Sequence, residues 1–224
     1  MSIQSLLRNN KKSYGTKTQL LINKSVFEDA CRKRKNLSMC YIDYAKAYDS
    51  VPHKWILEIL TVYKISSTIL SFLAYSMSMW HTNMSLYHEN GVICVNDIKI
   101  KRGIFQGDTL SPLLFIIAIN PISLLLNRKC SGYTLGGLNF THSLYMDDLK
   151  GYCSSYENIR KMVLLIESFT HDIGMSFGIG KCKVVNLRAG KYASLGGVEL
   201  TSGEVVELKS DEVSWCGRTG WHMS

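Results

Sequence analysis

His142-Ser143-Leu144-Tyr145-Met146-Asp147-Asp148-Leu149-Lys150-Gly151-Tyr152-Cys153 is the stretch whose reading decides the fold. Two short runs with strand character, His142 to Met146 and Leu149 to Cys153, flank a pair of aspartates, the pattern of a β-hairpin that turns on polar residues. Adjacent residues of a straight strand point to opposite faces, so Asp147 and Asp148 can serve one site only from a tight turn. Two carboxylates brought together there repel and raise each other's pKa unless a cation offsets them. The arrangement therefore invites Mg²⁺.

A third carboxylate lies upstream. Leu37 to Tyr44 is short, apolar and aromatic, as a buried strand would be, and it delivers Asp43 at its end. An unpaired carboxylate at such a place is costly, and a metal accounts for it. Carboxylates from two neighbouring strands can hold two Mg²⁺ about 3.5–4 Å apart, one activating a hydroxyl nucleophile and one steadying a leaving pyrophosphate. Tyr48, five residues on, suits either the sugar of an incoming nucleotide or an ordinary core. Gln106 and Gly107 precede a helix predicted to start with Ser111 and Pro112. There glycine permits close backbone approach and the helix N-terminus favours anions. Lys181 follows Gly178 and Gly180 and can put a positive charge near a pyrophosphate. Each block alone has a plain structural explanation; their order, spacing and predicted secondary structure together point to a nucleotidyl-transfer site.

Between these blocks the pattern alternates helices with strands. Residues 17–34 read as an amphipathic helix with Leu20, Phe27, Ala30 and Cys31 on its apolar side. A second helix begins after Pro52 with Ile56, Leu57, Ile59, Leu60 and Val62 inward, and a third covers Ser66 to Ser78. Residues 82–88 and 92–100 form a hairpin around Glu89-Asn90-Gly91. The helix from Ser111 to about Asn127 is apolar nearly all round, hence buried. Strands are expected at Tyr133 to Leu138, Val184 to Leu187 and Val198 to Leu208. Ser154 and Glu157 make a capping box for a helix carrying Ile159, Met162, Val163, Ile166, Phe169 and Ile173, which Gly174 ends. The fold class is α+β, with helices packed on one face of a sheet.

The chain has 224 residues and a net charge of +8. Residues 1–35 hold nine basic against two acidic side chains, nearly the whole excess. Lys11, Lys12, Lys17, Arg32, Lys33, Arg34 and Lys35 in this segment suit a phosphate backbone, whose neutralisation releases counterions. Seven scattered cysteines without a Cys-x-x-Cys pair speak against a disulfide framework or a zinc site and for a reducing compartment. The N-terminal residues have no signal-peptide core. The most apolar run, Pro112 to Leu126, is interrupted by Asn120 and Pro121 and reads as too short to span a bilayer. A soluble intracellular protein without a membrane partner is expected.

Ser13-Tyr14-Gly15-Thr16-Lys17, Tyr41 to His53, Arg102 to Leu113, Tyr145-Met146-Asp147-Asp148, and Gly174 to Gly178 leading to Lys181-Cys182 resemble the reverse transcriptases of non-LTR retrotransposons. The resemblance runs from about residue 13 to residue 208. It implies a polymerase palm, a small antiparallel sheet backed by helices, with partial helical fingers. Residues 1–36 would be a basic fingers segment, 37–208 the palm and 209–224 a divergent tail standing where the family has its primer grip and thumb. It implies RNA-directed DNA polymerase activity that needs two Mg²⁺ ions, with Mn²⁺ as substitute, and takes an RNA template, a DNA primer and deoxynucleoside triphosphates. Asp43, Asp147 and Asp148 would be catalytic metal ligands, with the Tyr44 carbonyl as a further ligand. Tyr48 would be the gate against the 2′-hydroxyl, Gln106 and Gly107 the nucleotide pocket, and Lys181 the triphosphate contact or general acid. A nuclear location goes with that role. The competing expectation is an inactive retrotransposon remnant that only binds nucleic acid.

Overall fold

Leu37-Ser-Met-Cys-Tyr-Ile42 is buried along nearly its whole length because it is the middle of a sheet whose two faces are both covered. The computed structural model describes residues 16–89 and 91–208. In chain order these form helix α1 (Thr16–Arg32), strand β1 (Leu37–Ile42), and helices α2 (Ala47–Ser50), α3 (His53–Val62) and α4 (Ser67–Ser78). A hairpin follows, β2 (His81–His88) with β3 (Gly91–Lys99), and then helix α5 (Ser111–Lys129). Strands β4 (Tyr133–Leu135), β5 (Leu138–Phe140), β6 (His142–Tyr145) and β7 (Asp148–Cys153) lead to helix α6 (Tyr156–Asp172). A 3₁₀ turn (Ile179–Lys181) precedes β8 (Lys183–Arg188), β9 (Lys191–Tyr192), β10 (Val198–Glu199) and β11 (Val205–Leu208).

The main sheet runs β10-β11-β8-β1-β7-β6, with β9 paired to β8. β1 lies antiparallel to β7, Ile42 opposite Leu149, and antiparallel to β8, Cys40 opposite Val184. Only β11 on β8 is parallel among the described pairs. Alternation along β1 splits its side chains between two cores. Cys40 and Ile42 join Leu149, Cys153 and Val184 against α3, α5 and α6, whereas Leu37 and Met39 join Tyr152, Val185 and Leu187 against Val26 and Ala30 of α1. The α+β class and the mainly antiparallel sheet agree with the sequence. The expectation that all helices pack on one face does not hold, because α1 closes the second face.

Several local readings shift for identifiable reasons. In α1 the buried positions are Asn23, Val26, Asp29 and Ala30, and Leu20 is exposed, so the inward stripe is rotated from the apolar residues that suggest it. Val62, at the last turn of α3, is likewise exposed. The cap of α6 is Ser155, whose hydroxyl accepts the Asn158 amide at 3.3 Å, one residue beyond Ser154. Glu157 only adds an acidic group to the first turn. Tyr133 to Leu138 is a hairpin turning on Gly136 and Gly137, both at positive φ (57° and 84°), as a two-residue turn of primed type requires. Val198 to Leu208 is two short strands, β10 and β11.

α5 continues through Asn120 and Pro121 and is long and apolar enough to cross a membrane by length and composition. In this fold it is the central core helix, burying Leu114, Phe115, Ala118, Ile119, Ile122 and Leu126. Pro121 has no N–H for the Ile117 carbonyl. One residue on, the Trp55 indole donates to the Ala118 carbonyl at 3.0 Å, and the Asn120 amide donates to the Tyr63 hydroxyl. These α3 contacts let the helix pass the proline.

Candidate active site

Asp43 stands one residue beyond β1, and Met146-Asp147 make the two-residue turn between β6 and β7, where Tyr145 pairs with Asp148. Because β1 and β7 are neighbours, the strand end and the hairpin turn come to the same edge of the sheet. Met146 is in the left-handed region at φ 53°, unusual for a side chain of its size. Local strain of this kind commonly marks a functional site.

The electrostatics tie the three carboxylates together. Burial, and next the Asp147 charge, pushes the Asp148 carboxyl above its ordinary value; Asp43 pushes in the same direction, and Lys150 and Lys181 oppose it. Burial and the Asp147 charge also raise the Tyr48 phenol. Tyr48 lies flat on Phe115, ring centres 4.9 Å apart and planes within 8°, and its hydroxyl donates to the Met146 sulfur at 3.9 Å. Tyr48 therefore borders the aspartate turn and uses α5 as its backing.

A divalent cation fits the chemistry of this donor set: hard carboxylate oxygens, mutually repelling and partly buried. The side chains do not stand ready for it, however, since among the described residues no group of three His, Cys, Asp or Glu is close enough to hold a metal as drawn. The Asp43 carboxylate ion-pairs with the exposed Lys181 ammonium at 3.5 Å.

Gln106 and Gly107 form an exposed turn before α5. Gly107 sits at φ +93°, and a Cβ there would meet open space. Its backbone conformation, not close packing, calls for glycine. The N-terminus of α5 is served by Asp108, whose carboxylate accepts from the Leu110 amide and the Ser111 hydroxyl, both at 3.3 Å, rather than by Ser111. Upstream, the Gly103 amide donates to the Val51 carbonyl at 2.8 Å and the Ile104 amide to that of Tyr48 at 2.9 Å, fastening this loop to the segment after Asp43.

The basic segment divides. Lys11 and Lys12, with Ser13 to Gly15, lie outside the described residues, as does the tail 209–224. Lys33 and Lys35 ion-pair with the buried Asp29, to which the Tyr133 hydroxyl also donates at 2.8 Å. These contacts, Lys33 foremost, hold the Asp29 carboxyl well below the usual carboxylate range. Lys35 also reaches the Thr134 carbonyl at 3.4 Å and lies over the Tyr133 ring, so Asp29 and Lys35 join the end of α1 to β4. Lys17, Arg32 and Arg34 are exposed.

Sequence pattern includes Gly178 and Cys182 in a motif but gives no sign that they pack on Asp43. The Asp43 amide donates to the Cys182 sulfur at 3.4 Å from 139 positions away, a separation at which no linear signal could have marked it.

The sequence matches the family described as Reverse transcriptase (RNA-dependent DNA polymerase) over residues 3–219. It is 26% identical over 163 residues to the Retrovirus-related Pol polyprotein from type-1 retrotransposable element R2 of Nasonia vitripennis, covering 73% of this chain and 15% of that protein. To the protein of the same description from Popillia japonica it is 30% identical over 103 residues, 46% of this chain and 16% of that one. The chain spans about a sixth of the length of these curated relatives. Among solved structures, telomerase from Candida Tropicalis in complex with a TWJ fragment of telomeric RNA superposes with TM-score 0.55 at 14% identity, over 90% of this chain and 36% of that one. The apo telomerase truncated from its C-terminal domain gives 0.52 at 15%, over 75% and 34%. At such identities the likeness is one of fold. With the aspartate turn, the strand-end aspartate and the glutamine-glycine loop all inside the matched span, the chain belongs to the reverse transcriptase (RNA-dependent DNA polymerase) family.

Proposed function

We propose that the chain carries the nucleotidyl-transfer site of an RNA-directed DNA polymerase, which adds deoxynucleotides to a DNA primer 3′-hydroxyl on an RNA template. The observation that carries this reading is the meeting of a strand end and a hairpin turn: Asp147 and Asp43 both act on a partly buried Asp148. In this reading Asp43, Asp147 and Asp148, with the Tyr44 carbonyl, hold two Mg²⁺ ions, for which Mn²⁺ can substitute. When bound, the metals neutralise the carboxylates, favour the deprotonated primer hydroxyl and steady the pyrophosphate. Tyr48, kept flat by Phe115, blocks a 2′-hydroxyl. Gln106 and Gly107 line the nucleotide pocket from the turn before α5. Lys181 leaves Asp43 for the triphosphate or protonates the pyrophosphate.

Lys17, Arg32 and Arg34, with Lys11 and Lys12, supply the phosphate contacts to template and primer, and Lys33 and Lys35 contribute long-range charge from within their ion pairs with Asp29. The telomeric RNA fragment bound by the telomerase of similar fold supports a nucleic-acid partner. One observation favours the second reading, a nucleic-acid-binding remnant: Asp43 is already paired with Lys181 and the carboxylates are not grouped for a metal. Single-nucleotide extension of a DNA primer on an RNA template, with Mg²⁺ and the full chain, separates the two. Extension that disappears in Asp147→Ala supports the polymerase. RNA binding without extension from folded protein, or extension that survives Asp147→Ala, sinks it.

A further inference from the structure

Asp43 follows the last residue of β1, where ladder hydrogen bonds end and its backbone needs other partners. The segment 176–182 supplies them. The Asp43 amide donates to Cys182 Sγ at 3.4 Å, the Cys182 thiol donates back to the Asp43 carbonyl at 3.5 Å, and the Gly178 amide donates to the same carbonyl at 2.8 Å. Beyond Asp43, the Ala45 amide donates to the Ser176 carbonyl at 2.9 Å and Tyr44 bridges to Phe177. The Cys182 thiol is fully buried.

Gly178 adds a shape constraint. A Cβ there would stand 2.7 Å from Asp43 Oδ2, closer than a carbon and an oxygen can approach. Its φ is −84°, which any residue adopts, so backbone freedom does not call for glycine. The space is kept for the carboxylate. Gly180, two residues on, has nothing within 4 Å of its Cβ position. The two glycines of one turn therefore differ in kind.

We propose that Gly178 and Cys182 are positioning residues for Asp43: Cys182 clasps its backbone from both sides and Gly178 leaves the room that its carboxylate occupies beside Lys181. The role in metal binding rests on the polymerase reading above; the clasp itself does not. Mn²⁺ binding followed by EPR on the folded full chain, without substrate, tests the first part. Gly178→Ala should change the Mn²⁺ affinity severalfold, because it dislodges the carboxylate from its place beside Lys181, and Cys182→Ala should weaken it severalfold, with Cys182→Ser recovering part of the loss. Gly180→Ala should match wild type, and Tm should move little in all four. Equal effects of Gly178→Ala and Gly180→Ala, or none from Gly178→Ala, overturn the proposal.

Amide exchange at Asp43, read by NMR without metal, tests the second part. Cys182→Ala should speed it about tenfold while the β7 amides keep their rates; an unchanged rate overturns the clasp. If Asp43→Asn binds Mn²⁺ as wild type does, the metal-ligand reading fails. The positioning role is then decided by the exchange rates alone.

Discussion

Met146 shows at the scale of one residue how turn chemistry and site chemistry are joined. The two-residue turn puts it at φ 53°, while its sulfur accepts from Tyr48. A γ-unbranched side chain bears that conformation far better than a β-branched one, for which it is a severe outlier. Met146→Val should lower stability by about 1–2 kcal/mol in urea titration. Met146→Gly should stay within about 1 kcal/mol of wild type, since glycine's relief in the folded chain is offset by its unfolded-state entropy. Asp147 is legible from sequence as a turn residue, but the turn falls on Met146 and Asp147, one residue earlier than the two-aspartate turn expected, and Asp148 already begins β7. Gly107 was legible as a glycine that matters, but for a different reason from the close approach expected of it.

Among elements, the join between α1 and β4 turns on Asp29. Its carboxyl is held low by Lys33, Tyr133 and Lys35. A carboxyl held low in the folded chain contributes stability that is complete above its unfolded pKa of about 4 and is lost as pH falls below that. Asp29→Asn should therefore cost stability at pH 7 and flatten the fall of stability below about pH 4, as urea titrations at several pH values would read. A second element behaves differently from the rest. The β2–β3 hairpin exposes Met84, Leu86, Tyr87, Val92, Ile93 and Val95 and pairs, among the described strands, with no sheet beyond itself. Isolated two-strand hairpins are marginal in water. Its amides should exchange orders of magnitude faster than those of β1, β7 and β8. Exchange as slow as in β1 would show that this hairpin is held by contacts beyond its own pairing.

At the scale of the whole molecule, a net charge of +8 concentrated toward the N-terminus sets how the chain meets a polyanion. RNA affinity should fall linearly in a log–log plot against salt, and the slope should shrink by about 1 for each phosphate-contacting cation removed. Arg32→Ala and Arg34→Ala should reduce the slope and leave stability alone. Lys33→Ala should do the reverse, because its main partner is Asp29. Filter binding at several salt concentrations, beside thermal melts, distinguishes the two classes.

By itself the sequence determined the chemistry and its order: a strand-end Asp43, a glutamine-glycine turn before a buried helix, and an aspartate hairpin. It also determined that β1 and α5 are buried, and most of the inward face of α6. These are properties of contiguous residues, set by side-chain period and turn preference. Only the tertiary structure decided that α1 covers the second face of the sheet, that Tyr133 reaches Asp29, and that Gly178 and Cys182 bond to the Asp43 backbone. Those facts depend on pairs a hundred or more residues apart, whose meeting is fixed by which strands become neighbours and not by any local pattern.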